Sequence, residues 1–576
     1  MVAKELTTGA TMRLWRDELC GPPPPFLTEP GALFVAYYAS AEISCLLELG
    51  WPLPARILDL FAEFRCVTNG TKVPCGAGLV GALVASGLES TSTAQEQEKR
   101  KDTMRKLVLR GEPWTAAERQ DILAYCESDV LALERLLPVM APRIDWPRAL
   151  LRGRYMRAAA VMERTGVPVD VELHAALVQH WGGIRKHLVA AIDKDYHVFE
   201  GQTFKHDQFA DYLARHDIPW PRLETGKLDL KDETFRQAAK AHPEIAPLHE
   251  LRSTLSQLRL NELAIGSDHR NRTLLSAFRA SSGRNAPSST AFIFGPATWL
   301  RSLIRAAPGR AIAYTDYCQQ EFAIAAALSG DANMLGAYQS GDPYLAFAKR
   351  AGAVPADATK ATHGPQRELY KTCALAVQYG MGAETLAERI NQPEIVARNL
   401  LGDHRQVFRQ FWEWSDAAAH RFNLVGELQA VFGWRLRNGT DKSERTARNF
   451  PMQANGAEMM RVASWRMTEG GINVCAPVHD AFLIEAAASE IDQVVEAAQM
   501  HMAAASRAVL AGFELRSDAK VYRHPERYSD PRGAHMFEIV TGLLAELMAT
   551  KESVGAGVGG DPEKSHCWPR TDQPGL

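Results

Sequence analysis

Apolar and polar positions change their period several times along the chain, and each change predicts an element. Val2–Leu6 and Thr11–Leu14 read as two strands around the turn Thr8-Gly9-Ala10, so the chain would begin inside a sheet. The stiff connector Gly21-Pro22-Pro23-Pro24-Pro25 follows. Leu33–Tyr38 reads as a buried strand, Glu42–Leu49 as a helix ended by Gly50, and Ala117–Leu137 as an amphipathic helix. Met140-Ala141-Pro142 closes this first unit near residue 145. Beyond Pro147, Arg148–Thr165 is helical, and Gly166-Val167-Pro168-Val169-Asp170 turns into an extended segment. Residues 171–265 are mostly helical around a polar middle near Thr225–Asp232. From Arg270 the composition shifts to Gly, Ser, Asn and Pro, and alternating strand and helix signals run to about residue 530. The end, 549–576, is polar and Gly/Pro-rich in its last part and is expected to be a disordered tail. No internal repeat is present.

With 576 residues the chain is expected to hold three or four domains. Its 46% hydrophobic and 23% charged residues are the balance of a soluble globular protein. A net charge of −3 excludes a polycationic nucleic-acid coat but leaves room for a local basic groove around an acidic centre. Nine cysteines without a CxxC pair argue against a disulfide framework or a zinc site, and for a reducing compartment. No apolar run approaches the roughly 20 residues that span a bilayer. The expected location is therefore the cytoplasm, without a membrane partner.

Four segments carry candidate chemistry. In Ala311-Ile312-Ala313-Tyr314-Thr315-Asp316-Tyr317-Cys318-Gln319-Gln320-Glu321, an apolar strand delivers Asp316 at its end before a helix begins. That suits a metal ligand, although an isolated Asp there is more often a helix cap. In Ile472–Glu485, apolar runs flank His479-Asp480, which reads as a hairpin whose charged tip is costly unless a cation or partner compensates it, although an isolated Asp there is more often a turn residue. Arg367, Lys371, Leu375 and Tyr379 recur every fourth residue, a helical stripe whose two cations invite an anion such as a triphosphate. A solvated basic face is the plainer alternative. Arg445–Glu458 interleaves Arg with amides that can contact sugars, phosphates and base edges. Two weaker signals have plain explanations: Gly559–Ser565 as a linker, and Lys99-Arg100-Lys101 with Arg105-Lys106 as a solvated helix face.

In order and spacing, these segments resemble the DNA polymerase I family (family A DNA polymerases) over about residues 146–530, in the short form found in phages. Asp316–Glu321 resembles the Asp-Tyr-Ser-Gln-x-Glu element, Arg367-x3-Lys371-x7-Tyr379-Gly380 the fingers helix, and Val478-His479-Asp480 the Val-His-Asp element. Ser282-Gly283-Arg284 resembles a Thr-Gly-Arg segment, Asn449-x3-Gln453 a template-primer contact helix, and Gly166–Asp170 the start of the polymerase portion. The resemblance implies an α/β multidomain fold: an RNase H-like exonuclease-type domain at 1–145, then a right-hand polymerase at 146–548. Its thumb would be about 171–265, its palm and fingers about 270–530. It implies that Asp316 and Asp480 hold two Mg²⁺ ions, with Mn²⁺ as an alternative, and that Arg367 and Lys371 grip the dNTP, Lys371 also protonating pyrophosphate. Leu375, Tyr379 and Glu321 would complete the nucleotide site. Arg284, Arg445, Asn449, Gln453 and His479 would hold primer-template DNA, and the enzyme would act as a monomer. Three residues depart from the family pattern: Cys318 where Ser is usual, Leu375 where an aromatic is usual, and Ala481 where a Glu often follows His-Asp.

The first unit resembles the family's 3′–5′ exonuclease domain. Tyr125-Cys126-Glu127-Ser128-Asp129 matches its Tyr-x3-Asp element, and Asp59 follows a strand. Tyr38 and Glu42 stand where Asn and Asp are usual, and the opening Asp-x-Glu element has no match. The implied remnant is Glu42, Asp59, Tyr125 and Asp129, with exonuclease activity lost or impaired and the first strands missing. Two rivals remain. A single-subunit RNA polymerase shares the Asp, Arg/Lys/Tyr and His-Asp pattern, against which Glu321 argues. The other is a catalytically dead DNA-binding scaffold, against which the retained pair of aspartates argues.

Overall fold

The computed structural model describes residues 1–555 apart from 28, 258–262, 296 and 440–442. The fold is α/β and mostly helical. Its central feature is a four-stranded antiparallel sheet in the order β12 (Asn473–Val478), β13 (Ala481–Ala487), β9 (Arg310–Tyr317), β14 (Ser517–Arg523). β9 lies inside the sheet, and Ala311, Ile312, Ala313, Thr315 and Tyr317 are buried on its two faces. A strand covered on both sides needs this nearly unbroken run of small and branched side chains. One face is covered by the Glu444–Glu469 and Ile491–Val509 helices; the Tyr317 hydroxyl donates to the Met502 carbonyl at 2.7 Å. The other face packs on residues from Val167–Leu188, Phe292–Ala306 and Val540–Leu544.

The remaining sheets are two-stranded: β1 (Val2–Lys4) with β2 (Thr11–Arg13), β3 (Phe34–Ala36) parallel to β4 (Ile57–Asp59), β5 (Val167–Pro168) with β8 (Arg270–Asn271), β6 (Phe199–Glu200) with β7 (Thr203–Phe204), and β10 (Glu427–Gln429) with β11 (Arg435–Arg437). As expected, the chain begins inside a sheet, with β1 and β2 antiparallel around the turn at Thr8-Gly9-Ala10. Among the described residues β1 and β2 pair only with each other, and the first unit's other sheet is the pair β3–β4. Over its described residues the segment 171–265 is mostly helical as expected, and part of it closes a small core of its own around Phe209, Phe235 and Leu248. The final helix runs from Pro531 to Gly555, past the expected start of the tail at 549; residues 556–576 lie outside the described residues.

The first unit does not stand apart. The buried Trp146–Thr165 helix carries Tyr155, Met156, Ala159 and Ala160 into one continuous core that joins Ala36, Ile43 and Ile57 to the central sheet's helices. Gly153 permits this approach, since a Cβ there would lie 1.9 Å from the Ile57 carbonyl oxygen. A buried ion pair crosses the same interface: Arg152 donates to both Glu63 oxygens at 2.5 and 2.7 Å. No helix among the described residues is long and apolar enough to cross a membrane.

Candidate active site

The sheet brings the two expected aspartates together. Asp316 is the penultimate residue of β9, and Asp480 sits in the two-residue turn between β12 and β13. His479 takes the first turn position with φ +56°, and the Tyr317 amide donates to the Asp480 carbonyl at 3.2 Å, tying the turn to β9. The two carboxylates lie close enough to share a proton. The Asp316 pKa is raised, first by burial and then by the Asp480 charge; that of Asp480 is raised by burial. Asp316 Oδ1 is buried with no hydrogen-bond partner. Two acids repelling each other around an unused oxygen are what a divalent cation would relieve. Among the described residues no set of three His, Cys, Asp or Glu side chains converges as a metal-binding group, so the protein offers a carboxylate pair. That number suits Mg²⁺, which keeps several ligands from water and substrate phosphates.

A polar relay borders the pair. Arg284 donates to Glu321 Oε1 at 2.9 Å, and the Tyr379 hydroxyl hydrogen-bonds the same carboxylate. Glu321 stands in the first turn of the Gln320–Ser329 helix, just beyond a sharp left-handed turn at Gln319 (φ +45°). The Gly364–Gln378 helix carries Arg367, Lys371 and Leu375 and ends at Tyr379. Its cations already have counterions: Arg367 donates to Asp342 Oδ2 at 2.7 Å and also bonds Glu368, and Lys371 bonds Glu368 at 3.3 Å. An incoming anion must compete with these carboxylates. Arg445 is exposed at the start of the Glu444–Glu469 helix and donates to the Tyr379 carbonyl at 2.5 Å, so here it closes the end of the Arg367 helix. Asn449 and Gln453 follow on successive turns, and Asn449 Oδ1 is buried without a partner. A cavity of about 380 Å³ opens beside the pair, lined by Gly283, Arg284, Asn285, Arg301, Arg461 and His479 among others.

The expected remnant residues of the first unit also meet, with a different outcome. Asp59 is buried at the end of β4, and its carboxylate accepts from the amides of Tyr38, Ala39 and Ala62 at 3.3, 2.7 and 3.0 Å. It caps the Leu60–Thr68 helix. Glu42, on the Ser40–Glu48 helix, is pushed up to about 8 by burial and by the Asp59 and Asp129 charges. Its Oε2 has no hydrogen-bond partner, but at that pKa the group is a neutral acid near pH 7. Asp129, on the Ala116–Met140 helix, is raised to about 6 by burial, while Lys101, Arg100 and its hydrogen bond with Tyr125 oppose that rise. The basic Thr91–Arg110 helix is a solvated face, as expected: Lys99, Arg100, Lys101, Arg105 and Lys106 are exposed, and Arg100 lies 5.9 Å from the Tyr125 ring centre.

Sequence reasoning missed Asp518. β14 pairs with β9 so that Asp518 is directly opposite Asp316, and Cys318 hydrogen-bonds it. The alternation through Ser517–Arg523 was the available signal for the strand, but nothing local reveals its register. Asp342, the Arg367 partner, was missed for the same reason.

The family model described as DNA polymerase family A matches residues 293–521, a span that includes Asp316, Glu321, Arg367, Lys371, Tyr379 and Asp480. The DNA polymerase of Mycobacterium phage L5 is 24% identical over 465 residues, covering 77% of this chain and 74% of its own. Residues 293–521 are thus similar to DNA polymerase family A. The thermostable DNA polymerase I of Thermus thermophilus is 26% identical over 379 residues, 60% of this chain. The chain spans under half of that relative's length, 44%. The fold is similar to the POL domain of Pol1 from M. smegmatis, solved in complex with DNA primer-template and dNTP. The TM-score is 0.65 at 20% identity, with 86% of each chain covered.

Proposed function

We propose that the chain is a template-directed DNA polymerase that extends a primer 3′-hydroxyl with dNTPs and releases pyrophosphate. The observation that carries this is the Asp316–Asp480 pair, with its unpartnered buried oxygen, beside a helix presenting Arg367, Lys371 and Tyr379. On this proposal the four-stranded sheet is the palm, the Gly364–Gln378 helix belongs to the fingers, and residues about 171–265 form the thumb. Residues 1–145 are an exonuclease-like unit whose activity is lost or impaired. Asp316 and Asp480 would hold two Mg²⁺ ions, or Mn²⁺, which when bound activate the primer hydroxyl and neutralise the departing pyrophosphate.

The chain's own residues do the rest. Arg367 and Lys371 exchange Asp342 and Glu368 for the triphosphate, gaining charge-assisted hydrogen bonds to its oxygens. Lys371 carries the proton that pyrophosphate needs as it leaves. Tyr379 and Glu321, joined by their hydrogen bond, bound the sugar, so that a 2′-hydroxyl meets an occupied carboxylate. Arg284, Arg445, Asn449, Gln453 and His479 hold primer and template, with Arg284 and His479 on the wall of the cavity.

Primer extension on a short labelled primer-template tests this, with Mg²⁺ and either dNTPs or rNTPs, beside Asp480→Ala. Extension with dNTPs that disappears in the variant is expected. Preferential use of rNTPs would instead assign an RNA polymerase, and DNA binding without extension would assign a scaffold.

A further inference from the structure

The first unit grips the loop that carries Arg284. Asn69, only 2% exposed at the end of the Leu60–Thr68 helix, donates through Nδ2 to the Ser281 carbonyl at 2.6 Å and to the Arg435 carbonyl at 2.7 Å. Its own carbonyl accepts from the Arg437 amide at 3.0 Å. One turn earlier, Arg65 donates to the carbonyls of Phe278 and Arg279 at 3.3 and 2.8 Å. Cys66 reaches the Gly433 carbonyl at 3.3 Å, and Arg437 bonds the Val67 carbonyl. A single helix turn thus bridges two segments far from it in sequence, residues 278–281 and the β10–β11 hairpin.

The Ser281 carbonyl takes a second donor, Trp434 Nε1, at 3.0 Å, so both of its lone pairs are engaged. Two residues on, Gly283 (φ +77°) lies against the Trp434 ring, where a Cβ would come within 3.1 Å, and its carbonyl accepts from buried Arg461 at 2.7 Å. The next residue is Arg284, held to Glu321. The carbonyls of Phe278, Arg279, Ser281 and Gly283 are therefore each met by a specific donor, and three of the four are met from the first unit. Carbonyls held this way, from the exposed Arg279 to the buried Gly283, tie the backbone at four successive points.

We propose that Asn69 and Arg65 are positioning residues for Arg284: the first unit, without using its own acids, sets the DNA-contacting loop of the polymerase. This rests on the role assigned above to Arg284 in holding primer-template. It gives the first unit a function in the same reaction and explains why its Leu60–Thr68 helix, N-capped by buried Asp59, is built so rigidly. Cutting Asn69 would leave the palm acids intact and loosen the guanidinium that stands between Glu321 and the cavity.

A double-mutant cycle on the full chain tests the coupling. Dissociation constants for a fluorescent primer-template are measured by anisotropy for wild type, Asn69→Ala, Arg284→Ala and the double variant. The same set is made with Arg65→Met, whose side chain is more exposed and whose loss is better tolerated. Arg135→Ala, whose bonds to Glu89 and the Leu88 carbonyl stay within the first unit, controls for general loosening. Weakening of roughly fivefold or more is expected in Asn69→Ala and Arg65→Met. It should vanish when Arg284 is already Ala. Additive losses in both cycles, unchanged affinity in both single variants, or an equal loss in Arg135→Ala would overturn the proposal. If Asn69→Ala does not fold, the Arg65 cycle decides alone. Because binding is the readout, failure of the polymerase assignment is seen separately, as wild-type protein that binds primer-template but does not extend it. Protein that does not bind primer-template overturns both.

Discussion

Two places in this chain gather carboxylates, and burial raises the acids of both; they differ in what meets their oxygens. At the end of the central sheet, Asp316 and Asp480 sit side by side, the Asp480 charge adding to burial in raising Asp316, with one buried oxygen unpartnered and a cavity opening beside them. In the first unit, Asp59 spends its lone pairs on three backbone amides, and Asp129 faces Lys101 and Arg100. Glu42 keeps an unpartnered oxygen but is buried deeply enough to be neutral near pH 7. The difference teaches that an acidic residue at the expected place is not yet a site. What matters is whether its lone pairs are already satisfied by the fold and its charge already balanced or removed.

Variants sharpen this contrast. The largest effect is expected from Asp316→Asn, which keeps the shape and removes the charge. Primer extension should fall by roughly a hundred- to a thousandfold or more, with folding intact by circular dichroism. Asp59→Ala should act on stability, because three buried amides lose their acceptor. A loss of about 2–3 kcal/mol in urea titration is expected, whereas a stability equal to wild type would return Asp59 to the list of free ligands. Glu42→Gln should change the pH dependence of stability. The folded pKa of Glu42, about 8, lies above its ordinary 4.5, so the folded state holds the proton more tightly. Stability from this group is complete below about pH 4.5 and is lost as pH rises through about 8. Removing the ionisable group should raise the melting temperature at pH 9 relative to wild type and leave it nearly unchanged at pH 5. An unaltered difference across that range would contradict the burial assigned to Glu42. The smallest effect is expected from Asp129→Asn, which should leave primer extension within about twofold of wild type, since a substitution this far from the pair falls among independent sites.

The sequence made the polymerase-like site legible wherever local pattern controls geometry. The apolar run before Asp316 forms β9, the apolar runs around His479-Asp480 form the β12–β13 hairpin, and the four-residue spacing of Arg367 to Tyr379 lies on one helix. What stayed hidden depends on partners distant in the chain. Register alone puts Asp518 opposite Asp316, and packing alone supplies Asp342 to Arg367 and Asn69 to Ser281. In the first unit the local turn at Thr8-Gly9-Ala10 was likewise legible, and the strands Val2–Lys4 and Thr11–Arg13 on either side of it pair with each other.

The contrast between the two acidic clusters is tested most directly by counting bound Mn²⁺ by electron paramagnetic resonance in the presence of primer-template and dNTP. Wild type, Asp316→Asn/Asp480→Asn and Glu42→Gln/Asp129→Asn would be compared. The account predicts that ions are lost in the first double variant and that the second binds as many as wild type. Loss of an ion in the second, or full occupancy in the first, would contradict it.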